Sequence, residues 1–153
     1  MIITIGSEAI QRSATTSTDQ TYIEGNNPAT ARGKITLLKT YANVPHGGFI
    51  VAIFTEVSPD TFTARCRQVI GDLDWGYVET PVDLDVEIGD YIGYYSVIGT
   101  MDKENVGVEY WLHDDDQTEC VNEPFSQYDE RTMSIQGVGE EAAGGGSRAI
   151  VVG

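Results

Sequence analysis

Basic residues are scarce in this sequence. Nine Lys and Arg face 24 Asp and Glu, a formal charge of −15 over 153 residues. Such a surface repels phosphate backbones and anionic lipid, which excludes nucleic acid and membrane as expected partners. It suits partners that are basic, neutral or reached through a cation. Cysteine is nearly absent as well, with only Cys66 and Cys120. Two cysteines make neither a disulfide framework nor a zinc site, and whether this pair is bonded stays open. No apolar run approaches the ~20 residues of a membrane helix. The opening MIITIGSEAI lacks the basic leader of a secretory signal. The expectation is synthesis in the cytosol and, if the protein leaves, exit by another route, such as assembly into a particle released by lysis. Helical periodicity is also missing: no window of ~11 residues repeats apolar positions at helical spacing between proper caps.

Period two is present instead. Leu84, Val86 and Ile88 alternate with Asp83, Asp85 and Glu87. Val106, Val108, Tyr110 and Leu112 alternate with Gly107, Glu109, Trp111 and His113. Ile35, Leu37 and Tyr41 share one face of GKITLLKTYA, and Phe62, Ala64, Cys66 and Ile70 share one face of TFTARCRQVI. Cys66 therefore reads as a small buried hydrophobe. Residues 49–54, FIVAIF, are apolar on both faces and read as a central strand. Turn residues separate the runs: Gly25 to Pro28, Pro45 to Gly48, Ser58 to Asp60, and Gly89 with Asp90. The expected fold is all-β: about eight or nine strands in an antiparallel β-sandwich of jelly-roll-like order. One domain spans residues 1–138. Residues 139–153 read as a Gly-rich linker that ends in an apolar arm, Ala149, Ile150, Val151 and Val152.

Two stretches carry a resemblance. One is Asn27-Pro28-Ala29, Gly33-Lys34-Ile35-Thr36 and Thr40-Tyr41-Ala42-Asn43. The other is the run from Leu84-Asp85-Val86-Glu87-Ile88-Gly89-Asp90 through Tyr91-Ile92-Gly93-Tyr94-Tyr95. Together they resemble small jelly-roll proteins of phage structural regions and environmental sequences. More loosely, they are similar to galactose-binding-like carbohydrate-binding modules. The likeness runs from Asn27 to about Leu112. It implies a sandwich with a structural or adhesive role and brings no catalytic motif.

Candidate chemistry is thin. Glu109 beside Trp111, and Glu79 near Trp75 and Tyr77, imitate the paired acids of a glycosidase. With 24 acidic residues, such pairs arise by chance. His46, in a Pro-His-Gly-Gly turn, and His113, at a strand end, read as exposed. No Gly-x-Ser-x-Gly elbow accompanies them. Asp114, Asp115 and Asp116 offer hard oxygen ligands on a loop and are the candidate calcium site; no other cofactor is expected. The acids of residues 83–89 miss the EF-hand spacing, because Gly89 falls one place late. Trp75, Tyr77 and Trp111 are the candidate sugar-stacking residues, with Trp111 half exposed through its polar company of Glu109 and His113.

The functional expectation is a non-catalytic structural assembly protein rather than an enzyme. It would be a virion component, as a capsid decoration or fibre subunit, or another self-assembling extracellular subunit. It would form a homo-oligomer or sit on a particle, with the arm adding as a strand to a neighbour's sheet edge or, alternatively, docking on its own domain as a last strand. The alternative is a carbohydrate-binding module or lectin-like adhesin with a glycan partner.

Overall fold

Alternating apolar and polar side chains reach opposite surfaces only when the chain is extended. The computed structural model describes residues 1–142, and it holds fourteen strands and no helix among them. The first five are β1 (Ile2–Gly6), β2 (Ala14–Thr15), β3 (Gln20–Glu24), β4 (Gly33–Ala42) and β5 (His46–Ser58). Next come β6 (Thr61–Leu73), β7 (Gly76–Val86), β8 (Tyr91–Ser96), β9 (Asp102–Glu104) and β10 (Glu109–His113). The last are β11 (Glu123–Pro124), β12 (Ser126–Asp129), β13 (Thr132–Met133) and β14 (Ile135–Glu141). Nine of these have five residues or more, against the eight or nine expected from the periodicity.

The strands form an antiparallel sandwich. A four-stranded sheet in the order β1-β14-β4-β7 faces a seven-stranded sheet in the order β11-β6-β5-β8-β3-β10-β12. A small third sheet, β13-β9-β2, sits beside them. The chain changes sheet between β3 and β4, β4 and β5, β6 and β7, and β7 and β8, so it winds back and forth between the two sheets. Ile3, Ile5, Ile35, Leu38, Leu84 and Val86 from one sheet meet Tyr22, Val51, Ile53, Ile92, Tyr94 and Tyr110 from the other. Burial of this set is the main stabilising term of the fold.

The seven-stranded sheet is covered on its other face too. Ile23, Ala52, Phe54, Phe62 and Trp111 point away from the main core and pack with Cys120 and Phe125. The segment after β10 folds back to supply that cover. This is why residues 49–54 are apolar on both faces: Val51 and Ile53 serve one cluster, Ala52 and Phe54 the other.

Several expectations need correction. In β4 the ladder slips at Thr36, where β14 pairs Val138 with Leu37 but Gly139 with Ile35. Past that bulge the alternation inverts, so Leu38, Thr40 and Ala42 turn inward while Leu37 and Tyr41 are half-buried. Ile88 is 72% exposed because β7 ends at Val86 and the chain turns at Gly89, φ +89°. Val106 and Val108 precede β10 and are exposed; only Tyr110 of that row is fully in the core. Cys66 is half-buried, its Sγ 3.4 Å from the Asp85 carbonyl, and both cysteines are free thiols. The domain also extends beyond residue 138, since β14 pairs through Glu141 with Gly33. Gly139 is part of that ladder. A Cβ there would lie 1.7 Å from the Lys34 carbonyl oxygen, so its glycine permits close approach of two strands.

Candidate functional site

Trp75 and Tyr77 lie together at one end of the sandwich. The β6–β7 turn, closed by the Trp75 amide donating to Asp74 Oδ1 at 2.9 Å, leaves Trp75 64% exposed. Tyr77 opens β7 opposite Tyr41 and is half exposed, its hydroxyl donating to Glu79 Oε2 at 2.5 Å. Trp111 is not with them. It stands on the outer face of the seven-stranded sheet, as its alternation requires, but the returning segment leaves it only 2% exposed. Its ring packs edge-on to Phe62 and Tyr91, at 4.8 and 5.1 Å, and its Nε1 donates to Asp60 Oδ1 at 2.8 Å. It serves a core and is no stacking platform. Local alternation gives the face a residue occupies; it cannot give what later folds over that face.

Asp114, Asp115 and Asp116 do not converge. Asp114 accepts from Gln20 at 3.1 Å, the Asp115 carbonyl accepts from Thr21 at 2.6 Å, and Asp116 Oδ1 accepts from the Thr118 amide and hydroxyl. The Asp116 carboxylate thus closes its own turn. Among the described residues, no three Asp, Glu, His or Cys side chains gather to hold a metal ion. The arm residues Ala149, Ile150, Val151 and Val152 lie outside the described residues. Glu79 and Glu109 stand on different sheets, so they form no acid pair across a cleft.

His46 contradicts its turn-like sequence. It begins β5 and is buried, its ring edge-on to Phe49 and Tyr94 and its Nδ1 2.8 Å from the Ser96 hydroxyl. Burial pulls its pKa down to about 4, against a small upward pull from the Thr100 carbonyl, so the ring is neutral at physiological pH. Its Nε2 is buried beside the Thr100 backbone and makes no hydrogen bond of good geometry among the described residues. His113 is half-buried, 2.9 Å from Glu123 and edge-on to Phe125.

The alternation also missed the buried carboxylates, among them Asp90 and Glu24, each of which closes an element end. Asp90 follows the β7–β8 turn and accepts from Arg65 Nε at 2.5 Å, from Thr55 Oγ1 and from the Glu87 amide, both at 2.8 Å. Glu24 ends β3 and accepts from the Ser7 hydroxyl, from Asn26 Nδ2 at 2.8 Å and from the Met133 amide at 3.2 Å. Burial lifts its pKa to about 7 against those hydrogen bonds. Both groups are spent on structure.

Two large grooves open on the described surface, besides a small one of about 170 Å³ lined by Leu112, His113, Asp114, Pro124 and Ser126. The larger, about 600 Å³, is walled by Arg32, Lys34 and Arg65 together with Asp85, Glu87, Glu140 and Glu141, so its charges are mixed. The second, about 500 Å³, lies at the Trp75 end between Pro45, His46 and Gly47, the turn residues Asp72, Leu73 and Asp74, and Ile98. Its architecture is tight. Gly47 bridges to Ile98, His46 pairs with Leu73, and a Cβ on Gly99 (φ +103°) would strike the Pro45 carbonyl at 2.6 Å. Around the second groove, Val44, Trp75, Tyr77, Val97 and Ile98 all expose apolar surface. They converge because the β4–β5, β6–β7 and β8–β9 connections meet here: Ala42 pairs with Gly76, and Thr100 bonds Asn43 at 2.7 Å.

Set against known proteins, the chain matches no family model and no curated protein.

Proposed function

We propose that this protein is a non-catalytic structural subunit that docks through one end of its sandwich. The setting would be a virion component, as a capsid decoration or fibre subunit, or another self-assembling extracellular structure. The observation that carries the reading is the exposed apolar group of Val44, Trp75, Tyr77, Val97 and Ile98 on three adjoining connections. Single exposed apolar residues need no explanation, but several gathered around one groove mark an interaction surface. The buried ionisable groups support the same reading, since Glu24 and Asp90 are committed to hydrogen bonds within the fold. Trp75 and Tyr77 also favour a second reading, a glycan-binding surface, because they are the two exposed large aromatics at this end.

The test is sedimentation velocity of the full chain over a range of protein and salt concentrations. Copies carrying −15 repel one another, and salt screens that repulsion within about 8 Å at physiological strength. Apolar end contacts should therefore give larger species that grow as salt is raised. The double variant Trp75→Ser, Ile98→Ser should remain folded by circular dichroism and sediment as a monomer. A wild-type chain that stays monomeric throughout would refute self-assembly.

A further inference from the structure

The two grooves differ in how their charges are met. In the larger one, Lys34 bonds Asp83 at 2.8 Å and Asp85 at 3.1 Å, and Arg65 bonds Asp90. The Trp75-end groove has two carboxylates, Asp72 and Asp74, and no cation in its lining. Neither carboxylate has an ion-pair partner among the described residues. Asp74 spends one oxygen on the Trp75 amide, which holds its side chain at the rim. The rest of the lining is apolar or backbone: Pro45, Gly47, Leu73 and Ile98.

A second, independent feature marks the floor. His46 is 3% exposed and lines this groove, with Nδ1 turned to the buried Ser96 and Nε2 beside the Thr100 backbone. The imidazole brings no positive charge to offset the acids. Beside the rim stands the exposed Trp75 indole, whose face attracts a cation.

Unpaired carboxylates, apolar walls and an open aromatic face fit one kind of occupant. We propose that this groove receives a Lys or Arg side chain with apolar flanks, from a basic segment of the partner on which the protein docks. The ammonium or guanidinium lies between Asp72, Asp74 and the Trp75 ring, and the flanking apolar side chains cover Leu73 and Ile98. The net charge of −15 steers such a segment toward the protein from any direction, while the groove supplies the place where it stops. This inference rests on the reading that the Trp75 end is a docking face. It is separable by the sign of its salt dependence: an apolar contact between copies strengthens with salt, and a cation in this groove weakens.

The experiment is fluorescence anisotropy with a labelled Leu-Arg-Leu-Arg-Leu peptide, its Lys counterpart and its Glu counterpart, with the full-length chain. Tryptophan emission is followed in parallel, since Trp75 is exposed and Trp111 is buried. The basic peptides should bind, shift the Trp75 emission, weaken as salt rises and compete with self-association, while the Glu peptide does not bind. Asp72→Asn with Asp74→Asn should weaken binding at least tenfold. Asp114→Asn with Asp115→Asn removes the same charge elsewhere and should change it less than twofold. Equal losses in the two double variants would mean that only the overall field acts, and would overturn the groove. So would binding that leaves the Trp75 emission unmoved, or no binding at all. Retention on immobilised oligosaccharide that depends on Trp75, with no peptide binding, would replace this proposal with the glycan reading.

Discussion

The β7–β8 corner and the end of β3 each bury a carboxylate completely, and they treat it in opposite ways. At the corner, Asp90 meets Arg65 and three further donors on Thr55, Glu87 and the second Arg65 nitrogen. The charge is compensated where it stands, and in return the Asp90 carboxylate drives the Arg65 pKa upward. At the end of β3, Glu24 has hydrogen-bond donors but no cation in contact. Arg12 acts on it only from a distance, its own groups being engaged by Ser134 and Glu104. Burial therefore dominates at Glu24 and raises its pKa to about 7. Complete burial alone says nothing about whether an acid is charged; the partner decides.

Three measurements break or sharpen that contrast. Among the carboxylates, the largest effect is expected at Asp90. Asp90→Ala leaves the Arg65 guanidinium beside an apolar void and the Glu87 amide unpaired. A loss of about 3–5 kcal/mol is expected in urea unfolding, because the Glu87 amide and the Thr55 hydroxyl lose their acceptor, while Arg65, 32% exposed, can turn partly to water. A loss below about 1 kcal/mol would mean that the corner does not depend on the pair.

Next comes the pH dependence of Glu24. Its folded pKa lies above the value near 4.5 of the unfolded chain, so the folded state binds more protons between those limits. The stability due to this protonated carboxyl is complete below about pH 4.5 and is lost as pH rises through about 7. The loss is of order 3 kcal/mol for one group. Other carboxylates titrate in parallel, so the informative quantity is the difference between wild type and Glu24→Gln across pH 4.5 to 8. That difference should move by about this amount in the sense that wild type weakens more. Parallel pH profiles would show that Glu24 is solvated in the fold.

The smallest effect is expected at Asp85, which is exposed on the outer side of β7, 3.1 Å from Lys34. Asp85→Ala should change stability by no more than about 0.5 kcal/mol by the same urea measurement. Val86→Asp, one residue on, faces the core and should unfold the domain. Comparable losses from the two would mean that the β7 register is misassigned.

What could be read in advance follows from the range over which each signal acts. The alternation in Leu84 and Val86 and the two-sided apolar run at 49–54 are properties of single strands, and both hold in the fold. Leu37 and Tyr41 fail because a bulge at Thr36 shifts the period, and a bulge is set by pairing with β14 and β7. Gly139 resembles the Gly-rich sequence that follows it, yet it is required by the approach of Lys34, more than a hundred residues earlier. Trp111 is on the face assigned to it but under a cover that the strand cannot foresee. At the candidate site, Trp75 and Tyr77 were legible from local composition. His46 was not, since its Pro-His-Gly-Gly context describes a turn while Phe49 and Tyr94 bury the ring. Only the Asp-Leu-Asp-Trp sequence of residues 72–75 hinted at the groove, by placing two acids and an indole within one turn.

The pairing of β1 with β14 bears on how this domain carries load. Ile2 opposes Glu140, and the Glu141 amide bonds the Met1 carbonyl, so the two ends of the described chain leave the molecule side by side. Antiparallel neighbours pulled apart from the same end open like a zipper, one rung at a time, because the force is never shared along the ladder. A molecule held by residues 1 and 142 should therefore begin to yield at low force, with β1 peeling away first. Tension applied across the sandwich, from the Trp75 end to the opposite one, runs along the strands and loads many rungs together. In a structure under mechanical stress, the bearing surface would then be the end with the apolar rim, and the β1–β14 pairing would serve as the weak seam.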